Sequence, residues 1–223
     1  MLWSKIIGAG GAGGAYVFPS ATILSSFVSP SDQPYGLAFD GTNLISCDNA
    51  NGNIYVHDGV SSTILTTLDL TGNPRGIVFD GTNLISSRAN TDIIYIHDGI
   101  STTILSSFAA PATSPTGLAF DGTNLISCDG GTGLIYVHDG ISVIILSSFA
   151  APGTFPTDLY FDGTNLISCD ASTDLIYVHD GVSSTILTSF VSPSNQPYGL
   201  AHDGTNLISC DASTDLIYVH DNA

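Results

Sequence analysis

The chain has no glutamate, only three cations (Lys5, Arg75 and Arg88), one methionine and one tryptophan among 223 residues. The long straight side chains that favour helices are almost missing, so a helical fold is disfavoured from the outset. The 20 acidic residues are all Asp and the formal net charge is −17. That balance repels phosphate backbones and anionic lipid, so no nucleic-acid partner is expected. No run is long and apolar enough to cross a bilayer as a helix, so no membrane insertion is expected either. Charged residues make up 10% against 43% hydrophobic, which excludes a disordered chain.

What is present is a repeat. The unit P-x-G-L-A-F-D-G-T-N-L-I-S-C-D, a polar stretch, I-Y-V-H-D-G and then I-L-x-x-F returns five times. The Asp of its D-G-T-N segment falls at Asp40, Asp80, Asp121, Asp162 and Asp203, a spacing of 40, 41, 41 and 41. A fixed period of this length means stacked copies of one supersecondary unit. Each copy reads as four short strands. In the first these are Gly36–Phe39, Leu44–Cys47, Ile54–His57 and Thr63–Leu68, joined by D-G hairpin signals. Pro34, Pro74, Pro115, Pro156 and Pro197 stand before each first strand, where they remove no ladder hydrogen bond.

Four-stranded units at this period predict an all-β fold, a five-bladed β-propeller with four antiparallel strands per blade. The ends fit that reading. Residues 21–27 (A-T-I-L-S-S-F) are a fourth strand without its first three, and the chain stops just after a third strand. The N-terminal strand is therefore expected to complete the last blade and close the ring, leaving no open edge. The expected organisation is a Gly-rich arm over 1–20 and a propeller over 21–223.

The last copy, P-Y-G-L-A-H-D-G-T-N-L-I-S-C-D-A-S-T-D-L-I-Y-V-H-D over 197–221, resembles the NHL-type propeller repeat, P-x-G-I-A-V-D followed by G-x-I-Y-V-x-D. The resemblance covers about residues 30–221 and implies the fold. Two features depart from it. The N-x-R of that repeat is replaced by Asn51–Asn53 or Ser213–Asp215, and the family usually has six blades.

Most residues that look chemical are repeat residues. Cys47, Cys128, Cys169 and Cys210 share one position, filled by Ser87 in the second copy. Equivalent positions in adjacent blades lie about 10 Å apart, too far for a disulfide, so buried free thiols are expected. His57, His97, His138, His179 and His220 form a ring expected to pair with polar groups nearby. Asp40 and its equivalents are expected to cap turns rather than bind Ca²⁺. Gly8–Gly13 spells G-x-G-x-x-G, but Pro19 interrupts before any helix could follow, so no dinucleotide site is expected. No metal and no cofactor are expected.

The informative positions are those where copies differ. D-G-T-N is identical in all five copies, whereas the loops joining strand four to strand one, and strand two to strand three, diverge. Those divergent loops share one face, which is expected to be the contact face. The candidate ligand-binding residues are the symmetry breakers. Arg75 and Arg88 both belong to the second blade. Asp158 and Tyr160 replace Gly and Ala in the fourth, His202 replaces Phe in the fifth, and Tyr35 and Tyr198 follow Pro in nearly identical loops. The sequence reading is of a non-enzymatic binding or structural module, displayed on a virion or cell surface, with protein partners through the arm and protein or glycan contacts through the variable face. Two alternatives stay open: a designed or consensus propeller, and a hydrolase or lyase acting at the channel mouth. No enzyme is expected, because a catalytic set needs differing residues to converge and these are scattered.

Overall fold

The computed structural model describes residues 20–70 and 72–221. The expected arm lies almost wholly outside them. Within them the chain forms five antiparallel four-stranded sheets and no helix. The first blade runs from Pro34–Phe39 innermost, through Leu44–Asp48 and Asn53–His57, to Ile64–Asp69 outermost. The five innermost strands are Pro34–Phe39, Pro74–Phe79, Pro115–Phe120, Pro156–Phe161 and Pro197–His202. Each starts on its Pro, one or two residues earlier than the sequence pattern places it. The ladder tolerates this because the register shifts just after the Pro, as between Pro34 and Leu37.

Closure occurs in the fifth blade, whose sheet orders Ile23–Val28, Leu216–His220, Leu207–Asp211 and Pro197–His202. The join reproduces the bonds of an ordinary blade. In the first blade the Asp58 N–H donates to the Thr63 carbonyl at 2.8 Å and the Ser61 hydroxyl to the Asp58 carbonyl at 2.8 Å. At the closure, the Asp221 N–H donates to Thr22 at 2.8 Å and the Ser20 hydroxyl to the Asp221 carbonyl at 2.8 Å. Two chain segments about 200 residues apart thus supply one repeat.

The core is five clusters, one in each gap between blades. In one, Ala201, Ile208, Cys210 and Ile217 of the fifth blade meet Leu37 and Leu44 of the first. Each fully buried Leu or Ile contributes about 1.5–3 kcal/mol. The thiols are free and buried. Cys47 accepts the Gly36 N–H at 3.2 Å and donates to the Arg75 carbonyl of the next blade at 3.3 Å. Ser87 does the same work in the second blade, accepting from Gly76 at 2.9 Å and donating to Thr116 at 2.7 Å. Burial pushes the Cys128 thiol up to about 12, so these groups pack rather than react.

The His ring is internal. His57 Nε2 meets the Ser46 hydroxyl at 2.8 Å and Nδ1 the Ser61 carbonyl at 2.6 Å. The carbonyl acceptor places the proton on Nδ1, leaving Nε2 to accept. Phe27 of the fifth blade stands edge-on to His57 of the first, with ring centroids 5.8 Å apart. Asp40 Oδ1 accepts the Thr42 and Asn43 N–H groups at 2.8 and 2.7 Å, as a turn cap does. Asn43 Oδ1 then accepts the Gly59 N–H at 3.0 Å, tying this turn to the next hairpin.

Candidate functional site

Five inner strands meet at the axis with their free edges inward, so their unpaired N–H groups converge there. At the level of the Gly in P-x-G the strands come closest. A Cβ on Gly36 would stand 2.5 Å from the Arg75 carbonyl oxygen, and one on Gly76 would stand 2.1 Å from that of Thr116. Only the fourth blade carries a side chain here, Asp158, which is fully buried. Its Oδ1 accepts the Leu118 N–H at 3.2 Å and its Oδ2 the Leu200 N–H at 2.8 Å. Asp158 thus plugs the axis with a tethered carboxyl group. Burial drives its carboxyl well above the usual range, against the pull of the Leu200, Leu159, Leu118 and Leu37 N–H groups.

On the D-G-T-N side of this level the axis opens into a cavity of about 460 Å³. Leu37, Ile77, Leu118, Leu159 and Leu200 lie deepest; Phe39, Phe79, Phe120, Phe161 and His202 form the rim. Tyr160 takes the intermediate layer, where three other blades have Ala and one has Val. Tyr160 stacks on His202, with centroids 5.5 Å apart and planes 9° apart. The Gly204 N–H donates to His202 Nδ1 at 3.0 Å, which puts the imidazole proton on Nε2. Burial lowers the His202 pKa, opposed by Asp203 and Asp162. Burial, with Asp162, pushes the Tyr160 phenol up to about 12. Both shifts favour the uncharged forms, and the Tyr160 phenol keeps its O–H.

Asp158, Tyr160 and His202 look scattered in the sequence, yet all three occupy the gap between the fourth and fifth blades. The other candidates sit elsewhere. Tyr35 and Tyr198 stack at 4.2 Å and 8°. Arg75 lies over Tyr35 at 5.7 Å, and Phe155 meets Tyr198 edge-on at 6.4 Å. These residues gather at the opposite mouth of the axis, on the variable face. Arg88 turns away from Arg75. It lies over Tyr95 at 4.4 Å and donates to the Leu70 carbonyl at 2.7 Å. The two arginines therefore do not form one anion site.

Arg88 has a packing cause. In the other blades this position is Asp. Asp48 accepts the Gln33 N–H of the preceding loop at 3.0 Å and caps its own turn through Ala50 and Asn51. The loop entering the second blade is one residue shorter, and Gly72 in it packs directly against the Arg88 guanidinium.

The sequence reading favoured the variable face and kept the channel mouth only as an alternative. The constancy of D-G-T-N reflects the hydrogen bonds its residues make, so it is no sign that this face is idle.

No protein-family model matches the chain and no curated protein matches it, so the NHL resemblance finds no support beyond the shared propeller architecture. Among solved structures the chain is similar to a glutaminyl cyclase from Myxococcus xanthus, with a TM-score of 0.76 at 13% identity, covering 91% of this chain and 96% of that one. It is also similar to the WD40 propeller domain of Doa1 (TM-score 0.55, 14% identity, 84% of this chain and 63% of that one). A third is the computationally designed Ika8 protein (TM-score 0.52, 17% identity, 84% and 58%). At such identities the likeness carries the fold alone. It does correct one expectation. The sequence reading excluded an enzyme, but an enzyme is built on this fold, so a ring of sister blades is no ground for excluding catalysis.

Proposed function

We propose that the chain binds a small molecule in the axial pocket of its D-G-T-N face. The observation that carries this reading is the cavity of about 460 Å³, floored by the Asp158 level and walled by all five inner strands. Its volume falls within the ~300–1,000 Å³ range of ligand sites, and its lining mixes aliphatic and aromatic side chains with polar groups, Tyr160, His202 and Asp203 among them. Tyr160 presents a phenol at its wall, and His202 stacks on that ring at the rim. The ligand class is therefore a neutral, ring-sized body carrying a hydrogen-bond acceptor, held beside Tyr160 at the gap between the fourth and fifth blades.

The test is a fluorescence titration with prodan, a neutral aromatic ketone of this class. Saturable binding with a blue shift is expected, lost in a folded Ala119→Trp variant, which adds a ring in the layer of the lining that Tyr160 occupies, and weakened in Tyr160→Ala. Equal binding by wild type and Ala119→Trp would reject the reading.

A second reading places catalysis in the same pocket. It draws on the likeness to a glutaminyl cyclase and on the Tyr160–His202 pair at the mouth. Incubation with a peptide bearing N-terminal glutamine, read by mass for loss of ammonia, tests it. No conversion by the wild-type chain would end that reading and leave the binding reading standing.

A further inference from the structure

The mouth on the variable face is built from the residue that follows the Pro of each inner strand: Tyr35, Arg75, Thr116, Thr157 and Tyr198. The five copies split into two groups there. Thr116 and Thr157 are buried and donate across to the next blade, to the Pro156 and Pro197 carbonyls. Their side chains are spent between blades. Tyr198, Tyr35 and Arg75, from three consecutive blades, are longer and remain half-exposed. They stand side by side as an arc: Tyr198 stacked on Tyr35, and Arg75 over the Tyr35 ring. The fivefold mouth is thereby made one-sided.

Within this arc Tyr35 and the Arg75 charge are both close enough to act on the Tyr198 phenol. Arg88, the other arginine, is committed to Leu70 and Tyr95. Among the described residues the Arg75 guanidinium has its contact with the Tyr35 ring and no hydrogen bond or ion pair. That is unexpected in a chain with 20 Asp and three cations, where any mobile cation has many carboxylates to choose from. Stacking on Tyr35 holds the guanidinium at the axis with its fork of donors unfilled.

We propose that Arg75, Tyr35 and Tyr198 form a second site, on the face opposite the axial pocket, that binds a small carboxylate. The guanidinium takes the carboxylate through its paired N–H donors, and the Tyr hydroxyls add neutral donors beside it. The plug at Asp158 separates this mouth from the pocket, so the two sites are distinct. The carboxylate's body lies over the half of the mouth where Thr116 and Thr157 leave no long side chain, with the Phe155 ring beside it.

The net charge of −17 makes the surface as a whole prefer a neutral molecule to an anion. A preference for the anion therefore singles out this site. The probes are benzoate and its neutral isostere benzamide, titrated into the full chain by NMR. Benzoate is expected to bind saturably and more tightly than benzamide, to keep its affinity in Ala119→Trp, and to weaken about tenfold or more in Arg75→Gln. Arg75→Lys is expected to retain part of the binding. Should Arg75→Gln fail to fold, the Arg75 Nε–H resonance of the wild type reads the same contact and is expected to shift with benzoate. Benzoate binding that survives Arg75→Gln, a still Arg75 Nε–H resonance, or no preference over benzamide would overturn the proposal. Loss in Ala119→Trp alone would assign benzoate to the axial pocket and also overturn it, without touching the reading of that pocket.

Discussion

Asp158 Oδ2 accepts the Leu200 N–H at 2.8 Å across the gap between the fourth and fifth blades, at the level where every other blade has room only for glycine. One carboxyl thereby satisfies inner-edge N–H groups from different blades and closes the axis. Asp158→Gly restores the residue of the other blades but strips those donors of their acceptor. It is expected to cost about 2 kcal/mol or more, read by urea denaturation. The folded-state pKa of Asp158 is raised by burial. Its contribution to stability is fully present below the unfolded pKa of about 4 and is lost as pH rises through the folded value. The stability difference between wild type and Asp158→Asn should therefore shrink as pH rises. A difference that grows with pH would contradict a raised carboxyl.

The His ring titrates in the opposite sense. Burial lowers the pKa of all five, and His97 falls to about 4 through burial and the nearby Arg88 charge. A depressed imidazole contributes stability above its unfolded pKa, lost as pH falls from about 6.5 toward 4. The His97→Gln variant should be less stable at pH 7 but should lose less on acidification, by about 2–3 kcal/mol over that window. Urea midpoints at three pH values measure this.

Ring closure rests on the strand Ile23–Val28, and its Phe27 meets His57 of the next blade at 5.8 Å. Phe27→Ala is expected to cost about 3 kcal/mol. Removing residues 1–28 should leave an open edge and an associating chain by sedimentation. A monomer with unchanged melting would show that the strand is dispensable.

In four blades an Asn amide holds the D-G-T-N turn to the neighbouring hairpin. Asn124 Oδ1 accepts the Gly140 N–H at 3.0 Å, so Asn124→Ala is expected to cost about 1 kcal/mol by the same denaturation assay.

These hydrogen bonds also explain what the sequence could and could not reveal. The blades were legible because each strand carries its own alternation and each turn its own D-G signal, and the orphan strand at 21–27 announced the closure. Asp158, Tyr160 and His202 were visible as departures from the repeat. Their convergence was not, because it depends on which side of its strand each faces, and on the ring placing the fourth blade beside the fifth. Apart from Tyr160 and His202, the pocket left no residue signal. Its Leu, Ala and Phe walls are the same letters that fill the gaps between blades, and the cavity arises from closing five strands around an axis. Arg75 and Arg88 looked like a pair in sequence because both lie in one blade. Stacking on Tyr35 and Tyr95 draws them apart.

One competitor for any apolar probe is the perimeter, where Leu24, Leu65, Leu105, Leu146 and Leu187 of the outer strands are each 43–58% exposed. The most direct measurement is therefore amide NMR mapping of prodan on the full chain. The account predicts saturable shifts at Leu37, Ala119, Tyr160 and His202 around the axis, with the outer-strand leucines still. Shifts confined to the outer strands would place the probe on the perimeter and contradict a ligand site at the axis.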